Sequence, residues 1–195
     1  MKANTSDTYF EGRVFTGKDL SEQPLASGEY ENCRFTGGKL SESDLSGITF
    51  TSCRFEGCDL SMAKLRNTAI REATFVECKL LGLHFEDCNP FLFGANFTSC
   101  DLSMASFFRC KLKGASLINC RLHEVDFTEA DLQTVIFKGS DLSGATFDTT
   151  NLSSADFRDA IGYIIDPVKN KIAKARFSSD GLAGLLTGFK IVVEG

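Results

Sequence analysis

The stretch Cys33-Arg34-Phe35-Thr36-Gly37-Gly38-Lys39-Leu40-Ser41-Glu42-Ser43-Asp44-Leu45-Ser46-Gly47-Ile48-Thr49-Phe50-Thr51-Ser52-Cys53-Arg54-Phe55 decides the fold. A large apolar residue returns at every fifth position: Phe35, Leu40, Leu45, Phe50, Phe55. A helix repeats every 3.6 residues and a strand every 2, so neither element produces this period. A polygonal coil with one inward side chain per five residues does. Working outward, the rule holds from Phe10 to Phe85 and returns, shifted by two, from Phe97 to Phe157. Of these 29 positions, 27 are Phe or Leu, so the pattern is a true internal repeat.

The residue two before each centre is usually small, as at Cys53, Ala63, Ala73, Cys78, Ala105 and Ala130. Each unit therefore offers one large and one small inward residue. The remaining three positions carry nearly all the charge, together with Ser, Thr and Gly suited to tight turns. The order Phe10-Phe15-Leu20-Leu25 recurs at Tyr30-Phe35-Leu40-Leu45 and Phe50-Phe55-Leu60-Leu65, which implies four units, or 20 residues, per coil. Stacked coils would then align Phe35, Phe55 and Phe75, and Leu40, Leu60 and Leu80, filling a core no single repeat could bury.

Units such as Ser43-Asp44-Leu45-Ser46-Gly47, Ala130-Asp131-Leu132-Gln133-Thr134 and Ser140-Asp141-Leu142-Ser143-Gly144 resemble the pentapeptide-repeat family. The resemblance covers roughly residues 8–160. It implies an all-β fold, a right-handed quadrilateral parallel β-helix, here with a short C-terminal helix. Residues 1–160 are assigned to the β-helix and 161–195 to a capping and dimerisation segment.

The interval from Phe85 to Phe97 is two residues longer than two units. Adding 22 rather than 20 restores the columns, so a kink at 86–94 is expected rather than a domain boundary. Pro90 cannot donate a ladder hydrogen bond, which suits a bulge. Asn89, Pro90, Phe91 and Phe93 fall outside the strict repeat and are the candidate partner-binding residues. After Ala160 the period stops. Ile161–Pro167 reads as an exit strand and turn, and Ser178-Ser179-Asp180 can cap a helix near 179–189. Leu182, Leu185, Leu186 and Phe189 would cover the last coil and join a second subunit, with Ile191-Val192-Val193 as a terminal strand.

The chain has 195 residues and a net charge of −5, with 43% hydrophobic residues. No apolar run approaches the ~20 residues of a spanning helix, and the N-terminus shows no signal-peptide pattern. A cytoplasmic protein without a membrane role is expected. The acidic balance argues against direct nucleic-acid binding. Residues 122–160 hold eight acidic residues against Lys138 and Arg158, net −6. Asp126, Asp131, Asp141 and Asp148 mark this acidic shaft. The eight Cys fall at the small inward position, Cys88 if the first register is carried through the break, and read as buried free thiols. His84 and His123 point outward, away from them. The Asp residues before each centre are explained by bonds to nearby backbone. No catalytic group, metal site or cofactor motif stands out, and no enzyme is expected.

The resemblance extends to the pentapeptide-repeat proteins that protect type II topoisomerases, a group that includes Qnr and MfpA. The tail Ile165-Asp166-Pro167, Asn170-Lys171-Ile172, Ala175-Arg176-Phe177-Ser178 resembles the AlbG/McbG members most closely. It implies a homodimer, joined through the C-terminal segment, that binds DNA gyrase or topoisomerase IV in the manner of DNA and protects it from an inhibitor. The long projecting loops of many Qnr proteins are absent, leaving the kink as the candidate loop. The alternative expectation is a structural scaffold rod with no topoisomerase role.

Overall fold

In a computed structural model of the chain, residues 8–22, 24–189 and 191 are described. The start of the chain and the expected terminal strand at Val192 and Val193 lie outside them.

The chain winds as a parallel β-helix whose coils repeat every 20 residues, as the period requires. Strands β1 (Thr8–Glu11), β3 (Gly28–Glu31), β5 (Thr49–Thr51) and β7 (Ala69–Arg71) pair in that order on one side. An adjacent side stacks β2 (Val14–Thr16), β4 (Arg34–Thr36), β6 (Arg54–Glu56), β8 (Ala73–Val76), β9 (Ala95–Thr98) and β10 (Leu117–Ile118). The two other sides carry single-residue bridges, such as Lys39 with Asp59 and His84 with Ser106. Five residues per side leave room for only a short strand before the chain must turn.

Turn chemistry explains the outward positions. Outside the Gly17–Glu22 helix and the Phe85–Asp87 turn, the second residue after nearly every centre takes a left-handed conformation, at Met62, Glu77, Asn119 and Ser154 as well as at Gly47, Gly57 and Gly139. The residue before the centre secures that turn. Asp44, Asp59, Asp101, Asp126, Asp131, Asp141 and Asp156 each accept, through Oδ1, the backbone N–H two residues on, at 2.8–3.2 Å. The structure thus bears out the backbone role of these carboxylates.

The core is a set of columns. Phe15, Phe35, Phe55, Phe75 and Phe97 stack with centroids 4.6–5.3 Å apart and planes within 11°. Phe85, Phe107, Phe127 and Phe147 form a second stack at 4.4–5.5 Å. Rings on neighbouring sides of one coil meet edge to face, as Phe50 does with Phe55. The register across the break is Phe75 with Phe97, so the shift of 22 holds.

Two departures from strict repetition appear near the ends. Gly17–Glu22 forms a short helix, α1, where the period alone calls for another repeat corner. Leu20 still points inward and is buried. A Cβ at Gly38 would fall on the Leu20 side chain, and one at Gly17 on the Gly37 carbonyl, so these glycines let the helical turn lie against the next coil. At the other end, the Ile161–Pro167 segment is not a strand. Ile161 makes one bridge to Asp141, and Tyr163 and Ile165 are buried within an irregular run. Ladder pairing then resumes at Lys171 with Asn151 and Arg176 with Asp156, and Phe177 stacks on Phe157 at 5.2 Å. The C-terminal helix is short: α2 (Ala183–Leu186) is flanked by single 3-10 turns at Ser179–Gly181 and Thr187–Phe189. Ser178 precedes it without a side-chain cap; its hydroxyl accepts the Asp159 N–H instead.

Candidate partner-binding surface

Three features depart from a neutral, regular rod: the kink, one acidic side and the C-terminal end.

At the kink the first register continues one unit further than the centres suggest. Cys88 is buried at the small position, and Asn89 accepts the Phe91 N–H at 2.9 Å as the Asp residues do elsewhere. Leu92 takes the left-handed turn position at φ 59°. The centre of this unit is therefore Pro90, and the two extra residues are Phe93 and Gly94. Pro90 is exposed, where every regular unit inserts Leu, Phe or a similar side chain. Gly94 takes over the ladder, donating to the Ile70 carbonyl and accepting from the Ala73 N–H. Phe93 turns partly inward, its ring edge-on to Phe85 at 6.1 Å. Phe91 and Leu92 are left 65% and 66% exposed, with Arg71 over the Phe91 ring at 5.9 Å. The four kink residues are thus split, with Phe93 filling core and Phe91 facing solvent.

The missing centre leaves a cleft of about 410 Å³ beneath the kink, lined by Phe85, Glu86, Pro90, Phe93, Phe108 and Cys110 among others. Glu86 Oε1 is hydrogen-bonded to His84 Nδ1 at 2.9 Å, while its Oε2 is covered and has no hydrogen-bond partner among the described residues. Sequence reading missed Glu86, Leu92 and Phe108. Nothing separates them from ordinary outward residues until the register through Pro90 is known.

The four marked aspartates do not share one face. Asp126 and Asp148 lie on the side that also bears His84 and Glu86, as the bridges from His84 through Ser106 to Asp126 and Thr146 show. Glu124 and Glu129 sit at its two corners, so this side carries carboxylates on the Phe85 coil (Glu86, Asp87) and on the Phe127 and Phe147 coils up to Asp148, with none on the Phe107 coil between them. Arg109 is its counter-charge, paired with Glu129 at 2.8 and 3.1 Å. Asp131 lies on the next side, in register with Lys111 and Asn151, whose amide donates to it at 2.8 Å. Asp141 lies on the opposite neighbour, in a ladder that alternates in sign: Lys39, Asp59, Lys79, Asp101, Arg121, Asp141. Hydrogen bonds from Ser143 and from His123 at 2.8 Å hold the Asp141 carboxyl below its ordinary range. That side neutralises itself. The acidic excess is therefore displayed mainly where Asp126 and Asp148 stand.

At the C-terminal end, α2 and its flanking turns lie across the last coil. Gly184 accepts the Ile165 N–H, and a Cβ at Gly181 or Gly184 would collide with Tyr163. Leu185 is half-buried and packs on the core, as a cap should. Leu186 is half-buried, while Leu182 and Phe189 are exposed. Ile161, Ile164 and Val168 join them at 59–79% exposure. Sequence reading assigned none of these three to the surface patch, although they are apolar residues outside the repeat.

All eight cysteines are free and buried. Burial pushes the Cys53 and Cys110 thiols up to about 12 and raises Cys88 as well. In the column Cys58, Cys78, Cys100 and Cys120, the thiol of the following coil raises each of the first three. Such thiols are poor nucleophiles and poor ligands at neutral pH. Among the described residues no three His, Cys, Asp or Glu side chains converge as a metal site, and no helix is long and apolar enough to cross a membrane.

The family model described as Pentapeptide repeat region matches residues 89–157, and that described as Pentapeptide repeats (8 copies) matches residues 31–67. The chain belongs to the pentapeptide-repeat family. Among solved structures, full-length QnrB1, a plasmid-mediated fluoroquinolone resistance protein, is similar at 23% identity over 94% of this chain and 100% of that chain, with a TM-score of 0.45. A trypsin-treated form of QnrB1 is 25% identical over 96% and 98%, with a TM-score of 0.48. HetL, a pentapeptide-repeat protein involved in heterocyst differentiation regulation in the cyanobacterium Nostoc, is 23% identical over 87% and 83%, with a TM-score of 0.40. No curated protein matches the chain.

Proposed function

We propose that this pentapeptide-repeat protein is a cytoplasmic, non-enzymatic homodimer. It binds the DNA-binding groove of DNA gyrase or topoisomerase IV as a DNA mimic and protects the enzyme from an inhibitor. The observation that carries the reading is the set of carboxylates on one side of the rod, Glu86 and Asp87 and then, beyond the Arg109 coil, Glu124, Asp126, Glu129 and Asp148. Stacked coils lie ~4.8 Å apart, so these charges are held at fixed spacings rather than on mobile loops. A basic groove built for phosphates attracts such an array, mainly by raising the association rate. The resemblance of the tail to the AlbG/McbG members supports the same reading. The exposed apolar end, with Leu182, Phe189, Ile161 and Ile164, supports isologous pairing of two chains. Phe91, exposed beside the kink, is the aromatic anchor.

Gyrase binding measured over a salt series tests this reading. Asp126→Lys with Asp148→Lys should weaken association strongly at low salt and flatten its salt dependence. Asp141→Lys, on the self-neutralising side, should have a smaller effect. Equal effects from both variants would contradict the assignment of the acidic side. No binding by the parent protein would leave the scaffold reading in its place.

A further inference from the structure

We propose that the cleft beneath the kink binds a small aromatic carboxylate, its ring against the phenyl walls and its carboxylate at Lys111. The proposal does not depend on the topoisomerase reading.

Three observations carry it. First, Pro90 vacates a centre position and Phe93 fills it only in part, leaving about 410 Å³ lined by Phe85, Phe93, Phe108 and Pro90 among others. Ligand pockets span about 300–1,000 Å³, and a planar ring gains contact on several sides of such walls. Second, the charge left over in the lining is positive. Arg109 and Lys111 stand there against the single carboxylate of Glu86. Glu86 Oε1 is taken by His84 Nδ1, and Arg109 is held by Glu129. Lys111 has no ion pair among the described residues. Third, the ladder on this side is open at Lys111. In the coils that follow, the residue before the centre donates to the small residue one coil back, Asp131 N–H to the Cys110 carbonyl and Asn151 N–H to that of Ala130, each at 2.9 Å. The equivalent acceptor for Lys111 is the Cys88 carbonyl, and that bond is not formed among the described residues. Pro90 has no N–H to donate to the Lys111 carbonyl, as Leu112 donates to Asp131. Lys111 therefore bridges only forward, to Asp131. Its N–H is directed at the kink, across the cleft that Cys88, Pro90 and Lys111 line together. A carboxylate there can accept from that N–H and pair with the Lys111 ammonium, a charge-assisted arrangement open to neither an aromatic cation nor a neutral ring.

Indole-3-propionate is a suitable probe, with indole-3-propionamide and tryptamine as its neutral and cationic counterparts. The chain contains no Trp, so indole fluorescence reports the ligand. Indole-3-propionate should bind the full chain saturably with a dissociation constant below ~1 mM, and both counterparts about tenfold more weakly. Lys111→Gln should cost the carboxylate about fivefold, the upper end for an exposed ion pair, and leave the amide unaffected. Lys113→Gln removes the same charge two residues on, outside the lining, and should leave binding unchanged. Cys110→Leu, which adds volume to the wall, should weaken all three ligands. Circular dichroism identical to the parent's separates these effects from unfolding, and the ranking of the three ligands needs no variant at all. No saturable binding of indole-3-propionate, tryptamine binding as tightly as the carboxylate, or equal losses from Lys111→Gln and Lys113→Gln would overturn the proposal.

Discussion

Truncating Phe55 to alanine tests how the rod is held together. Phe55 is 1% exposed. Its ring lies between Phe35 at 4.6 Å and Phe75 at 4.8 Å, both within 9° of parallel, and meets the edge of Phe50 at 5.3 Å. Removing a buried phenyl group costs about 3–5 kcal/mol. Three aromatic pairs vanish with it, each contributing ~0.5–1.5 kcal/mol beyond area alone, so the upper part of that range is expected. Solenoid coils contact only their neighbours, so the loss concentrates at the interfaces on either side of one coil. Guanidinium unfolding followed by circular dichroism measures the total. Hydrogen exchange should localise it to amides that bond across those interfaces, Arg54 N–H to the Cys33 carbonyl and Thr74 N–H to the Cys53 carbonyl. Phe91→Ala is the control, since a largely exposed ring should change stability by no more than ~0.5 kcal/mol. A Phe55→Ala cost below about 1 kcal/mol, or one equal to the control, would refute the stacked-column account.

At the C-terminal end, Gly184→Ala should displace α2 from Tyr163 and speed proteolysis after Ser178; unchanged digestion would contradict the close approach. Leu182→Glu with Phe189→Glu should yield folded monomers by light scattering, whereas Leu185→Glu should also lower stability, because Leu185 packs on the core. A parent protein that is monomeric at micromolar concentration would refute the dimer. On the alkaline side, thiols such as Cys53 and Cys110, raised to about 12 in the fold, stabilise it fully below the unfolded value and lose that contribution as pH rises towards 12. Each such thiol should give a slope of about 1.4 kcal/mol per pH unit in that window, and Cys53→Ala should reduce it. On the acid side, Asp141 is held low by Ser143 and His123, so its contribution is present above the unfolded value and fades as pH falls through the folded one. Asp141→Asn should flatten the acid limb of the stability profile, and an unaltered limb would show that this carboxyl is not coupled to folding.

The columns and the inward thiols were legible because a five-residue period leaves each side chain one direction to point. The shift of 22 across the break was legible for the same reason. The division of labour at the kink was not. Phe91 and Phe93 are alike in sequence, and only the backbone path around Pro90 decides which ring enters the core. The short helix at Gly17–Glu22 was hidden because Leu20 keeps its place in the period while the backbone around it changes. The scatter of Asp126, Asp131 and Asp141 over three sides follows from their spacing, yet net charge along the chain conceals it. So does the alternating ladder from Lys39 to Asp141, whose members are 20 or 22 residues apart in sequence and neighbours in space. Beyond Ala160, pairing at Lys171 and Arg176 resumes after an irregular run that sets no period.

A gyrase supercoiling titration tests the central functional claim most directly. Purified protein is added to gyrase and relaxed plasmid with and without a fluoroquinolone, an albicidin-like and a microcin-like inhibitor. The account predicts that the parent protein restores supercoiling against at least one of them, and that Asp126→Lys with Asp148→Lys restores it less. Supercoiling unchanged by the protein at every concentration and with every inhibitor would contradict it.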